Sequence, residues 1–397
     1  MTLSEVPIRD LVTKCATWNP KKQGTGTFDY IDLSTVDKET KAILLPERVE
    51  CGAAPSRARQ LVAAGDVLVA TVRPNLNGVA IVEESHDGAT ASTGYCVLRP
   101  KTQAVDARYL FHWVRTDEFV QRMIAVATGA NYPAVSDSKV KASSIPLPPL
   151  AEQKRIAKIL DAADALRAKR RESIALLDEL LRSTFLDMFG DPVTNPKGWD
   201  KATVGHLVRI EGGWSPKCLK RPPAEDEWGV LKLGAVTYCE YRPEQSKSLP
   251  ANLVPRPENE VRKGDVLFAR KNTHQLVAAC AYVHTTRPRL MFPDLIFRLT
   301  PSGASRLEPP FLWQQLIAPR MRARVQSLAG GAAGSMPNIS KAKLRSVELV
   351  VPPPDMQKHF AKVVDMVEEQ KAKHDAHLVE LDTLFASLQS RAFRGDL

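Results

Sequence analysis

The chain is expected to be an α+β protein: two mixed, largely β globular domains in tandem, each followed by a long helix, the two helices pairing as a coiled coil. Three observations lead there. The first is an internal duplication. IPLPPLAEQKRIAKILDAADAL at residues 145–166 aligns with LVVPPPDMQKHFAKVVDMVEEQ at 349–370 at a constant offset of 204. Pro148, Pro149, Gln153, Lys154, Ala157, Lys158 and Asp161 thereby match Pro352, Pro353, Gln357, Lys358, Ala361, Lys362 and Asp365. The second is a stretch after the first block with no Gly or Pro until Gly190 and Pro192. The third is the spacing of its apolar residues, in alternating steps of four and three. A duplication of this size means two similar modules, so the function is expected to need two similar sites at a set distance.

In chain order, the first domain occupies residues 1–148. Its YIDLSTV (30–36) returns as VLKLGAV (230–236), and its strand-like AAGDVLVA (63–70) returns as VRKGDVLFA (261–269). Trp18 and Pro20 return as Trp214 and Pro216, and Pro133, Ser136 and Lys139 return as Pro337, Ser340 and Lys343. The offset drifts because loops differ in length. Blocks repeated in the same order are not chance.

The first helix, expected within 149–190, begins after Pro146, Pro148 and Pro149, which cannot continue a strand but are tolerated before a helix. About 38 residues would span ~57 Å, too long for a helix packed on one small domain. Its seam reads Ile156, Leu160, Ala163, a polar gap at Arg167 and Arg170, then Ile174, Leu177, Leu181, Thr184 and Met188. The second domain occupies 191–353. The second helix, 354–397, repeats the seam as Phe360, Val364, Val367, a gap at Lys371 and His374, then Leu378, Leu381, Phe385, Leu388 and Ala392. Steps averaging about 3.5 are those of a coiled coil. The alternative is two amphipathic helices, each docked on its own domain.

Composition sets the class. A chain of 397 residues suggests two or three domains. Its 44% apolar and 25% charged content is that of a soluble protein with real cores. No apolar run approaches a membrane span and no signal segment is evident, so a cytoplasmic protein is expected. Cys15, Cys51, Cys96, Cys218, Cys239 and Cys280 stand singly and read as reduced thiols. The net charge of +10 is unevenly placed. Residues 190–355 carry 24 basic against 15 acidic side chains, while residues 1–150 carry 17 against 16 and the helices nearly cancel. Localised positive charge suits a polyanion such as DNA; a basic surface kept for solubility is the other reading.

The block PLPPLAEQKRIAKILD, the long helix ending LLRSTFLDMFGDP and the second copy ending LQSRAFRGDL resemble type I restriction–modification DNA specificity subunits over nearly the whole chain. The resemblance implies that each globular domain is a target-recognition domain reading one half of a split DNA site. It implies that the helices pair as an antiparallel coiled coil, set the spacing and dock two methyltransferase subunits. Restriction (motor–nuclease) subunits complete such a complex. No cofactor is then expected in this chain; S-adenosylmethionine, ATP and magnesium belong to the partner subunits. The second block reads PPPDMQ where the first reads PPLAEQ, so the counterpart of Glu152 is Met356 and the two blocks need not bind partners alike.

The chemistry agrees with a chain that is not itself an enzyme. There is no Asn/Asp-Pro-Pro-aromatic turn for an amino-methyltransferase and no Gly-x-x-x-x-Gly-Lys-Ser/Thr phosphate loop. GTGTFD (24–29) lacks the third glycine of a dinucleotide fingerprint, and the histidines have no metal spacing. No catalytic or metal-binding residue is expected. The runner-up function is a coiled-coil scaffold or assembly protein whose basic domains bind protein or RNA.

Base reading favours Arg, Lys, Asn and Gln on loops, and phosphate contact favours Lys and Arg. After GDVLVA comes TVRPNLNG, with Arg73, Asn75 and Asn77; after GDVLFA comes RKNTHQ, with Arg270, Lys271, Asn272 and His274. Homologous strands ending in different polar loops are what two domains of one fold and different specificity should show. Phosphate contacts are expected from Lys139 and Lys141, from Lys343 and Arg345, from Arg122 and its counterpart Arg324, and from a Gly-rich turn at 330–334.

Overall fold

A computed structural model of the chain describes residues 3–129, 132–302, 307–331 and 336–397. Both long helices are present, Leu150–Phe189 and Pro354–Arg394. The chain divides by contacts into two units, Met1–Glu172 with Ala376–Leu397, and Ser173–Asp375. Borders at residues 148, 190 and 353 follow the helix ends, but packing follows the side chains. One half of each long helix buries its apolar face in each unit.

In the first unit the opening strand Glu5–Pro7 pairs with Ser144–Pro146, bringing the ends of the globular part together at the start of the first long helix. A four-stranded antiparallel sheet orders Val12–Thr13, Tyr95–Pro100, Val67–Ala70 and Val79–Ile81. A five-stranded sheet adds Thr27–Ile31, which runs parallel to Thr90–Ser92. The helix Ala107–Val114 buries Tyr109, Leu110 and Trp113 against the four-stranded sheet and the long helices. The same core holds Ile156, Leu160 and Ala163 of the first long helix with Phe385, Ala392 and Phe393 of the second. The two helix segments run antiparallel. Arg155 donates to the Leu397 carbonyl at 2.6 Å, and Arg167 Nε donates to Asp382 at 2.6 Å.

The second unit repeats the plan. Asp200–Thr203 pairs with Glu348–Val351. A four-stranded sheet orders Val208–Gly212, Ile296–Pro301, Val266–Ala269 and Cys280–Tyr282, all antiparallel. The helix Pro309–Ile317 covers it. Leu181, Phe185 and Phe189 of the first long helix meet Phe360, Val364 and Val367 of the second in one core.

The repeated Gly-Asp-Val-Leu block has a physical cause. Gly65 and Gly264 sit at φ +85° and +93°, where a side chain is strained. The next residue ties the turn, Asp66 accepting from Ala63 N and Asp265 from Arg262 N, each at 2.9 Å. Each aspartate then pairs with an arginine of the neighbouring strand, Arg99 at 2.7 Å and Arg298 at 3.4 Å.

The seam differs in detail from its expected form. Ile156, Leu160, Leu181, Phe360, Val364 and Phe385 are buried, whereas Ile174, Leu177, Leu378 and Leu381 are only half-buried. Past Leu181 the buried positions are Phe185 and Phe189, not Thr184 and Met188. Two successive steps of four suit a straight 3.6-residue helix packed on a globular core. The polar gap is where expected. Arg167 pairs with Asp382 in the first unit, and Lys371 pairs with Asp178 at 2.6 Å in the second, one contact made twice by the duplication.

Candidate nucleic-acid interface

The loops that follow Val67–Ala70 and Val266–Ala269 occupy equivalent places. Val72 bridges Ala134 and Lys271 bridges Asn338; Thr128 bridges Ala134 and Gly330 bridges Asn338. The register makes Arg73 the counterpart of Asn272: Arg73 N donates to Pro133 O at 2.7 Å and Asn272 N to Pro337 O at 3.3 Å.

Their side chains differ. Arg73 is exposed, takes φ +51°, has no carboxylate partner among the described residues, and lies 4.8 Å over the ring of Tyr132. A non-glycine residue held left-handed is a strained position worth explaining by function. Tyr132 is 68% exposed and was not foreseen; a lone loop aromatic carries no periodic signal. Asn75 is also exposed, as is His274, and Lys271 is half-buried.

Four expected base readers or phosphate contacts are otherwise engaged. Asn77 is the left-handed cap of a short turn, and its amide donates to Arg115 O at 3.1 Å. Asn272 is 6% exposed, bonded to Thr237 Oγ1 and accepting from Thr273 N. Arg270 donates to Asn338 Oδ1 at 3.1 Å and lies over Phe297. Arg122 pairs with Glu118 and Glu5. None of the four is free to reach a base edge without breaking these contacts.

The paired lysines have a structural task. Lys139 Nζ donates to Val126 O at 2.6 Å and Lys343 Nζ to Leu328 O at 2.8 Å. Each ammonium thus satisfies a carbonyl at the end of the preceding helix, Asp117–Val126 or Pro319–Gln326, where a cation is favoured. Ser136 and Ser340 cap the helices that carry these lysines. Among the described residues Lys141 and Arg345 make no such bond, and Arg324 lies 3.8 Å from Glu348. Of the Gly-rich turn, residues 332–334 lie outside the described residues.

The matched glutamines explain the repeated Pro-Pro block. Gln153 and Gln357 are 1% and 0% exposed. Each side-chain oxygen accepts from the residue that starts a domain helix, Asp106 N at 2.9 Å and Glu308 N at 3.1 Å. Each amide donates back to the proline carbonyl five residues earlier. The glutamine therefore fastens the long helix to its own globular part.

A buried histidine, His112, and a half-buried one, His284, make stability depend on pH. Burial holds His112 below its ordinary value, against its bond to Asp161 at 2.8 Å. Burial, and then Lys371 and Lys263, hold His284 down at about 4. A depressed folded pKa means that the unfolded chain takes the proton first. Stability from His284 is therefore full above about pH 6.5 and is lost as pH falls toward about 4, on the order of 3 kcal/mol across that window. Glu368, raised by burial, acts in the opposite direction at the lower end. The expected result is that His284→Asn loses less stability than the parent between neutral pH and pH 5 in urea melts. Equal losses would show that His284 titrates freely in the folded chain.

Among the described residues no group of His, Cys, Asp and Glu could hold a metal ion. Nor is any helix among them long and apolar enough to cross a membrane.

Residues 12–176 match the family model described as type I restriction modification DNA specificity domain. Over 218 residues the chain is 32% identical to the type I restriction enzyme EcoEI specificity subunit of Escherichia coli, covering 52% of this chain and 36% of that protein. It therefore spans about a third of that relative's length. With the EcoKI specificity subunit of Escherichia coli K12 it shares 23% identity over 400 residues, 94% of this chain and 80% of the relative. The crystal structure of the type I restriction–modification system S subunit from M. genitalium has the same fold, with a TM-score of 0.56 at 14% identity, covering 98% and 96% of the two chains.

Proposed function

We propose that the chain, which is similar to type I restriction–modification DNA specificity subunits, is the DNA-reading subunit of such a complex. Each globular domain reads one half of a bipartite duplex site. The long helices set the spacing and carry two methyltransferase subunits, with restriction subunits completing the assembly. The chain performs no bond-making itself; S-adenosylmethionine, ATP and magnesium serve in the partners. The observation that carries the reading is the pair of equivalent loops after Val67–Ala70 and Val266–Ala269, which share a backbone frame and differ in every exposed side chain. A shared frame with different side chains is how one fold reads two sequences.

The first domain offers Arg73, stacked on Tyr132, together with Asn75. A guanidinium held this way presents its fork to guanine O6 and N7. The second offers Lys271 and His274, with Lys141 and Arg345 as backbone contacts in the respective domains. The test is duplex binding with and without the methyltransferase partner. Specific discrimination should rise at least tenfold when the partner is present, because on this reading base extrusion belongs to the methyltransferase. Equal discrimination without it would contradict the reading. Salt-dependent binding with no preferred sequence in either case would favour a basic scaffold instead.

A further inference from the structure

Each of the two equivalent loops is pinned at its front by a bond that both copies share and at its back by side chains that they do not. The front pin is backbone: Arg73 N donates to Pro133 O and Asn272 N to Pro337 O. Beyond it the loops diverge in length. Residues 71–77, seven in all, stand between Ala70 and Gly78, which pair; residues 270–278, nine in all, stand between Ala269 and Ala279, which pair in the same way. Each loop closes on a left-handed residue that is not glycine, Asn77 at φ +44° and Ala278 at φ +62°.

In the first domain the back pin is Lys41. Its ammonium donates to Asn77 O at 2.6 Å, from a turn in which Lys41 is itself left-handed at φ +60°. Asn77 N donates to Pro74 O and Leu76 N to Arg73 O, so Arg73 and Asn77 are the two ends of one short turn. Holding Asn77 therefore holds Arg73. In the second domain the corresponding left-handed turn residue is Cys239, which has no ammonium to offer. The helix Pro319–Gln326 supplies the pin instead. Arg322 donates to Gln275 O at 3.1 Å, and the Gln326 amide lies 3.1 Å from the same oxygen and 3.0 Å from Val277 O.

Both cations stand where their own electrostatics do not favour them. Lys41 and Arg322 are half-buried, and neither meets a carboxylate within 4.0 Å among the described residues. Burial, and then Arg115, hold the Lys41 ammonium down at about 8, against the more distant Asp37 and Asp164. Arg322 Nε is buried with no hydrogen-bond partner among the described residues. Taking a cation from water to meet an uncharged carbonyl costs stability, and an apolar side chain in its place is often neutral or stabilising. Stability therefore does not account for either residue, whereas the backbone that each one fixes carries Arg73 and Asn75, or Lys271 and His274.

Resting on the DNA-reading role proposed above for these loops, we propose that Lys41 in the first domain, and Arg322 with Gln326 in the second, are positioning residues that set base discrimination without touching DNA. The shared front pin gives both loops one frame. The individual back pins fit each loop to its own length and sequence. A donor distinguishes base edges only while its direction is fixed, so a loop freed at its back end meets right and wrong bases more alike.

The test uses the full chain with its methyltransferase partner. The probes are duplexes of the motif mapped from the parent's methylation, each with one base changed in one half. Arg73→Ala and Lys271→Ala, run beside the other variants, show whether the loops read DNA and which half belongs to which domain. Lys41→Met removes the ammonium and keeps the stem. It should cut discrimination about tenfold in the half that Arg73→Ala relaxes and leave the other half unchanged. Arg322→Met and Gln326→Leu should each do the reverse, the second guarding against a folding defect in the first. The slope of affinity against salt should match the parent, because no phosphate contact is removed. Urea midpoints should not fall for Lys41→Met or Arg322→Met, since each removes a cation that has no carboxylate partner. If Arg73→Ala and Lys271→Ala relax their halves while the three positioning variants keep full discrimination, the proposal is overturned and the DNA-reading role stands. If Arg73→Ala and Lys271→Ala relax nothing, both fall together. A salt slope lower by about one would make Lys41 or Arg322 a phosphate contact and overturn the proposal. So would relaxation of both halves by one variant, or relaxation that appears only with a fall in urea midpoint.

Discussion

Phe360→Ala is expected to lower the stability of the second unit by about 3–5 kcal/mol. Phe360 is 0% exposed, and its ring centre lies 5.6 Å from Phe185 and 5.7 Å from Phe189. Truncation leaves a cavity among rings held on two helices and a domain helix, and such rings cannot collapse together without moving backbone. Leu381→Asp makes the contrast. Repeat spacing alone marks Leu381 as a seam residue, yet it is half-buried, so the charge can reach water and the cost should be about 1 kcal/mol or less. Urea unfolding of both variants, followed by signals from the affected unit, measures the difference. Similar midpoints for the two would show that the aromatic cluster is not the packing centre.

The second large effect is expected at the matched glutamines. Gln357→Leu leaves Glu308 N–H and the Pro352 carbonyl buried without partners, at a cost of about 2–4 kcal/mol. Gln153→Leu strands Asp106 N–H and the carbonyls of Ala104 and Pro148 and should cost at least as much. The two variants should each destabilise the unit that contains the change. Hydrogen exchange resolved along the sequence would show this as faster exchange in Pro309–Ile317 for one and in Ala107–Val114 for the other. Unchanged exchange in both helices would refute the fastening role.

The architecture was legible because its signals are long. A repeat at a fixed offset and a Gly-free, Pro-free stretch cannot be local accidents, and both helices form over the residues they mark. The division into units was not legible, since it depends on which helix half packs on which core. Periodicity placed the seam to within one residue but failed at Thr184 and Met188, where Phe185 and Phe189 are buried. A 3.5-residue and a 3.6-residue repeat diverge over that length.

The site was the harder part. Residue type suggested Asn77, Asn272 and Arg270 as readers, but all three hold their own loops. The lysine pair Lys139 and Lys343 matched across the duplication because both satisfy a helix end. A match between copies therefore marked shared structure. On the proposed reading, the DNA-reading residues are those the copies do not share, such as Arg73 with Tyr132.

The most direct test of two-headed reading is methylation mapping in cells that carry the chain with its methyltransferase partner. Arg73→Ala with Asn75→Ala should relax the methylated motif in one half only, by about 1–3 kcal/mol of discrimination at each base affected. Lys271→Ala with His274→Ala should relax only the other half. If either pair relaxes both halves together, or if neither changes the motif, the two domains do not read separate half-sites through these loops.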